Sequence, residues 1–268
     1  MSKGISATQE ARLNSLDRVL DSQEPAAGLA DELFAVVDTL DAQSALRRSF
    51  TDPALSDDDR KTLVGRILGG KISAPAVRIV QEAAGLRFTS GRSMADALER
   101  QGIRAQLRAA LTQGLLESTA EQLFRFARTV ESTPELATAL GNRNTAVEQR
   151  QQLIARLTDG KVGAATSALL RRAVSARKRN YIDTVDEYVS MAAELRNRAL
   201  ATVTVSRPLT TEQKARLQAI LNKQSGRAVE LLEVVDPEVI GGVRVQIGDE
   251  VIEGTVAGRL EDARGTFQ

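Results

Sequence analysis

Leu63-Val64-Gly65-Arg66-Ile67-Leu68-Gly69-Gly70-Lys71-Ile72 and Leu153-Ile154-Ala155-Arg156-Leu157-Thr158-Asp159-Gly160-Lys161-Val162 are one segment written twice, 90 residues apart. The register holds outward in both directions without a gap. Upstream it pairs Ala30, Leu33, Phe34, Thr39, Leu46 and Arg60 with Ala120, Leu123, Phe124, Thr129, Leu136 and Arg150. Downstream it pairs Ala74, Ala83 and Arg87 with Ala164, Ala173 and Arg177. That makes 13 identities over 58 positions, where ordinary composition would give about four by chance. Two Ala/Leu-rich helical stretches can look alike, but the paired Gly-Lys steps and the spaced arginines argue for an internal duplication.

The apolar spacing inside each copy is helical. Leu29, Leu33, Val36, Val37 and Leu40 share a face, and so do Leu63, Val64, Ile67 and Leu68. Breaks fall at Asp52-Pro53, Gly69-Gly70, Asn142 and Asp159-Gly160. Ser56 before Asp57-Asp58-Asp59 reads as an N-cap with acids in the first turn, where the helix dipole favours them. Each copy is then a small bundle of five or six short helices, and Tyr181 to Leu200 forms one more.

After Leu200 the period changes to two. Residues 201–206 predict a strand, stopped by Arg207-Pro208. Thr210 and Gln213 form a capping box for a helix running to Gln224 and closed by Gly226. Val229 to Val235 is β-rich, Asp236-Pro237 turns, and Val243, Val245 and Ile247 alternate with polar residues. Gly248-Asp249 predicts a hairpin turn into a strand from Val251, and Thr255 caps a last helix, Val256 to Arg264. The fold class is mostly α. Two tandem helical bundles, 1–105 and 106–200, precede a small α/β module, 201–268.

Composition narrows the chemistry. Without Cys or His, thiol nucleophiles, disulfides, thiolate or imidazole zinc sites and Ser-His-Asp triads are excluded. With 8 aromatic residues and no Trp, the core rests on Leu, Val, Ile and Ala, which suits helices. Net charge is +1, and no segment has the strong basic excess of a polyanion binder. The longest stretch free of charge, Val162 to Leu170, is 9 residues, against about 18 for a membrane span. Met1 to Glu10 lacks the apolar run of a signal peptide. The expectation is a soluble, intracellular chain that meets a membrane only through partners.

Gly65 to Lys71 nearly spells a phosphate-binding loop, but Ile72 stands where Ser or Thr would hold Mg²⁺, a helix precedes it, and Ala155 replaces Gly65 in the repeat. A helix end with Gly70 in the left-handed conformation is the plainer reading. Arg171-Arg172 and Arg177-Lys178-Arg179 form a basic cluster. It suits a solvated helix face first, a protein partner second and nucleic acid last, since Tyr181 stands alone as a stacking group. No residue set calls for a catalytic role, a metal or a cofactor.

Asp236 to Gly248 is the sharpest motif of the chain. With Val229, Leu231, Val235, Val239 and the continuation Asp249 to Leu260, it resembles the C-terminal signature of the delta subunit of rotary F-type ATP synthases, the oligomycin-sensitivity conferring protein family. Asp236, Gly241, Gly242, Val243, Val245, Gly248 and Gly254 carry the likeness. The strand ending in Arg207-Pro208-Leu209 before the capped helix resembles the family's entry to that module. Thr133-Pro134-Glu135-Leu136 and Leu68-Gly69-Gly70-Lys71 resemble segments of its helical domain. The usual member has one helical bundle; two make this chain similar to the longer actinobacterial form.

The resemblance implies a non-catalytic stator on the cytoplasmic face of the cell membrane. It would tie the catalytic α/β head to the b stalk against rotor torque, with α and b subunits as partners, β as a secondary one, and no nucleic acid. It implies that an amphipathic N-terminal helix of an α subunit lies between the first and fifth helices of a bundle. Leu13, Leu16 and Leu20, with Val77 and Val80, would be the contacts in the first copy. Ser167 and Leu170 match Val77 and Val80 in the second copy and make that groove more polar, so the first copy is the expected holder. Two other readings stand beside this one. One is a stand-alone helical adaptor; the other is a nucleotide-binding protein using Gly65 to Lys71, against which the incomplete repeat argues.

Overall fold

A computed structural model describes residues 7–26, 28–176, 180–197, 199–225, 229–236, 242–247 and 250–253. The first copy comprises α1 (Ala7–Asp21), α2 (Leu29–Ala42), α3 (Ser44–Phe50), α4 (Asp57–Leu68) and α5 (Ala74–Gly85), followed by α6 (Gly91–Thr112). The second comprises α7 (Leu116–Glu131), α8 (Pro134–Gly141), α9 (Val147–Thr158), α10 (Ala164–Ala173) and α11 (Tyr181–Asn197). The sequence repeat is thus a structural repeat: α2 to α6 and α7 to α11 correspond in order at the same 90-residue offset, and α4/α9 and the starts of α6/α11 coincide to the residue.

Matched residues do matched work. Leu33/Leu123, Val64/Ile154, Ile79/Leu169, Val80/Leu170 and Phe50/Leu140 are all buried, each burial worth about 1.5–3 kcal/mol. Arg60 and Arg150 are both buried. Arg60 donates through Nε to the Ala84 carbonyl at 2.6 Å and through Nη1 to Leu55 at 2.7 Å. Arg150 donates through Nη1 to Leu140 at 3.0 Å and to Val174, the counterpart of Ala84, at 3.4 Å. Each arginine satisfies carbonyls that the ends of short helices leave open. Glu32 and Gln122 likewise accept from the backbone N–H groups of the N-cap residues of α5 and α10, Ser73 and Gly163, both at 2.9 Å.

The local signals act as the sequence predicts. Ser56 Oγ accepts from Asp59 N at 3.1 Å. Gly70 and Gly160 both have left-handed φ, 73° and 64°, a conformation that costs a glycine least. Gly65 lies within α4 and its carbonyl accepts from Gly69 N at 2.9 Å, so the near match to a phosphate loop is the end of a helix and its C-cap. The basic cluster divides: Arg172 is buried, while 177–179 lie outside the described residues.

The described chain divides into two compact units, 1–193 and 194–268. The border expected at 105 falls inside α6. By the offset, residues 97–111 of α6 match α1, while α6 as a whole matches α11. One helix therefore closes the first copy and opens the second, and no linker separates them. It can serve both because it is buried over much of its circumference: Leu98, Ile103, Leu107 and Ala110 are buried along with Gln101, Arg104 and Arg108. The polar members secure α1. Asp17 pairs with Arg100 and accepts from Gln101 Nε2 at 2.8 Å; Asp21 accepts from Arg104 Nη2 at 2.8 Å; Arg108 Nη1 donates to the Leu20 carbonyl at 2.6 Å.

The second unit holds β1 (Ala199–Val205), α12 (Thr211–Ser225), β2 (Val229–Val235), β3 (Val243–Ile247) and β4 (Glu250–Glu253). The sheet order is β2-β1-β3-β4, with β1 parallel to β2 and antiparallel to β3, and β3 antiparallel to β4. β1 starts two residues before the expected 201, because its parallel register already pairs Ala199 with Val229; the border expected at 200 therefore falls inside a strand. Val203, Val205, Leu221, Val229 and Val245 form the core. The capping box forms both bonds, Thr210 N to Gln213 Oε1 at 2.9 Å and Gln213 N to Thr210 Oγ1 at 3.2 Å. Gly226, the turn at Gly248-Asp249 and the helix expected at 256–264 lie outside the described residues.

Candidate functional site

The five residues expected to form a groove separate into two groups. Leu16, Leu20 and Val80 are fully buried; they are the inner faces of α1 and α5 and hold those helices together. Leu13 and Val77 are half-buried and belong to the edge of that seam. Ser15 Oγ donates to Glu82 Oε1 across it at 3.0 Å, and Lys61 Nζ donates to Glu82 Oε2 at 3.1 Å. The seam thus has an apolar edge and a satisfied carboxylate at one end.

In the second copy the matching helices are α6 and α10. Ser167 is half-buried and Leu170 is buried. The Leu170 carbonyl accepts from Tyr181 Oη at 3.1 Å. From α10, Arg172 reaches the first copy. Its Nη1 donates to Asp38 at 2.7 Å, its Nε to Glu99 at 3.0 Å, and its guanidinium carbon stands 4.7 Å from the centroid of the Phe34 ring. Sequence reasoning missed this clamp. The signal available was a break in the repeat, Arg172 standing where the first copy has Glu82.

Two clefts lie in the first unit. One, of about 300 Å³, is lined by α2, α3 and α4, including Val36, Leu40, Leu46 and Ile67, with Lys71 at its edge. The other, of about 170 Å³, lies between Asp31 and Phe34 on one side and Ala168, Arg171 and Arg172 on the other. Among the described residues no group of three or more carboxylates is placed to hold a metal ion, and no helix is long and apolar enough to cross a membrane.

Part of the C-terminal signature lies among the described residues. Asp236 N donates to the Val205 carbonyl at 2.9 Å, joining the end of β2 to the end of β1. Gly242 has a left-handed φ of 91° and leads into β3. Val243 and Val245 pair with Val205 and Val203, and Val245 is buried. Gly241, Gly248 and Gly254 lie outside the described residues.

Residues 104–266 match the family model described as ATP synthase delta (OSCP) subunit. The match starts within α6 and takes in the second copy and the α/β module. Proteins named ATP synthase subunit delta match nearly end to end. That of Cutibacterium acnes is 37% identical over 264 residues, 98% of each chain. That of Streptomyces avermitilis is 42% identical over 260 residues, 96% of this chain and 95% of the relative. That of Beutenbergia cavernae is 40% identical over 264 residues, 96% and 97%. Both copies are therefore present in these relatives.

Proposed function

The chain belongs to the ATP synthase delta (OSCP) subunit family, and from that premise we propose how its parts divide the work of a stator. It is a peripheral-stalk subunit of the proton-driven ATP synthase, tying the catalytic head to the stalk so that the head does not turn with the rotor. It works by being held at two sites and by resisting deformation within the helical unit. The near end-to-end match to delta subunits carries this reading.

The α1–α5 seam of the first copy accepts an amphipathic N-terminal helix of an α subunit, with Leu13 and Val77 as its apolar contacts. Leu16, Leu20 and Val80 support those contacts from beneath. The α/β module meets the b subunit, and contacts to β are secondary. The chain contributes no catalytic group of its own. It lies on the cytoplasmic face of the cell membrane, held there by its partners.

Within the helical unit, the shared α6 and the Arg172 clamp resist bending. A linker between the copies would add compliance that torque would take up; a continuous helix of 22 residues leaves none at that point. The test is a tagged pull-down from detergent-solubilised native membranes with partners identified by mass. Recovery of α, β and b at fixed ratio is expected. Val77→Asp should lower affinity for the α peptide at least tenfold, and unchanged affinity would refute the seam assignment.

A further inference from the structure

The second copy has the helix pair that would form its own seam, α6 and α10, and a segment of the same chain already bridges it. α2 lies so close along α6 that a Cβ placed on Gly102 would come 2.5 Å from the Phe34 ring. From the other wall, Arg172 of α10 closes over the same ring and pairs with Asp38 one turn further along α2. Glu99 of α6 holds the same guanidinium, so one cation ties both walls to the bridging helix. A cleft of about 170 Å³ lies between Asp31, Phe34, Ala168 and Arg171.

We propose that α2 fills the α6–α10 groove of the second copy in cis, so that the chain takes up one partner helix rather than two. The duplication copied the fold without copying a vacant binding site. α2 has the properties of a groove ligand: it is amphipathic, it places Phe34 inward, and its rim carboxylates Asp31 and Asp38 lie toward Arg171 and Arg172. The first copy differs at the matched positions. Glu82 replaces Arg172, Gln81 replaces Arg171 and Arg78 replaces Ala168. A helix bearing an acid where α2 has Asp38 would meet Glu82 there, so the two seams are not interchangeable in charge.

The inference rests on the reading that the first copy holds an α helix, and two measurements on the full chain separate the two. The chain has no Cys, so single cysteines report access cleanly. Without peptide, Ala168→Cys should alkylate at least tenfold more slowly than the matched Arg78→Cys; equal rates overturn filling by α2. A synthetic peptide of the amphipathic N-terminal helix of the cognate α subunit is then added and counted by native mass spectrometry. One peptide per chain is expected, slowing alkylation of Arg78→Cys and leaving Ala168→Cys unchanged. Two peptides per chain, or protection of Ala168→Cys, overturn the inference. If the peptide slows neither cysteine, the α-helix reading of the first copy fails, while the contrast in basal rates still decides the filling.

Discussion

Arg172 brings a positive charge into the joint between the copies, where Glu99, Asp38 and the face of Phe34 meet it. Burial works against that charge, and the carboxylates of Glu99 and Asp38 outweigh it, so the guanidinium pKa lies above its ordinary value. Glu99 has the opposite balance. Its own burial raises its pKa, Arg172 offsets only part of this, and Asp96 and Asp38 add to it. A carboxyl raised in the folded state contributes stability below its ordinary 4.5 and loses it as pH rises through the folded value. Glu99→Gln keeps an acceptor for Arg172 and is expected to change unfolding stability by less than about 1 kcal/mol at pH 7. Wild type should gain on that variant as pH falls toward 4. Arg172→Ala leaves Glu99 buried without its cation and should cost about 3 kcal/mol. Urea unfolding of the three proteins across pH checks both.

Asp17 supplies the contrast. Burial raises its pKa, but the hydrogen bond and charge of Arg100, with Arg104 and Gln101, prevail and hold it below the ordinary 3.8. Its contribution is therefore present above 3.8 and lost as pH falls through the lower folded value. Asp17→Asn should destabilise at pH 7 by about 2–3 kcal/mol, since it removes one partner of a buried pair, and the gap should close in acid. A gap that widens below pH 4 would contradict the sign. None of this was legible in the sequence. The periodicity marks Asp17 and Arg104 as polar intrusions on an apolar face but does not say that they meet.

At the scale of elements, the repeat was legible because burial and carbonyl capping constrain the same positions twice, as Arg60 and Arg150 do. The sharing of α6 was not. Both bundles draw buried residues from 91–112, so the border expected at 105 fell inside one continuous element. The seam was legible only in part. Leu13, Leu16 and Leu20, three and four residues apart, read alike as apolar stripe, and only packing separates the buried Leu16 and Leu20 from the half-buried Leu13. Gly102 tests the α2–α6 contact directly. In an open helix Gly→Ala gains up to about 1 kcal/mol. Here the new methyl group would meet a ring sandwiched under Arg172, and overpacking of that kind costs about 1–3 kcal/mol. Gly102→Ala should lower the melting temperature; a rise would show that α2 stands further from α6.

At the scale of the molecule, a shared helix changes what can be cut. If the copies were beads on a string, removal of residues 1–105 would leave an intact second bundle and α/β module. With α6 shared, that cut removes most of the second copy's first helix: Leu98, Ile103 and Ala105 are lost from a buried set that also includes Leu107 and Ala110. Three buried side chains of this kind, at about 1–3 kcal/mol each, are a large fraction of the roughly 5–15 kcal/mol that stabilises an ordinary domain. A chain of residues 91–268 keeps all of α6. It exposes the face that α2 covered, including Gly102 and the Arg172 guanidinium, yet it retains the core of the second copy. It should therefore melt cooperatively and show helical circular dichroism, whereas 106–268 should lose the transition of its helical part. The longer piece should also bind the α peptide through the groove that α2 vacates, and Arg172→Glu should weaken that binding if the peptide places a carboxylate where Asp38 lay. Equal cooperativity in the two pieces would mean that the second copy does not depend on α6, and that the copies are joined end to end rather than through a common helix.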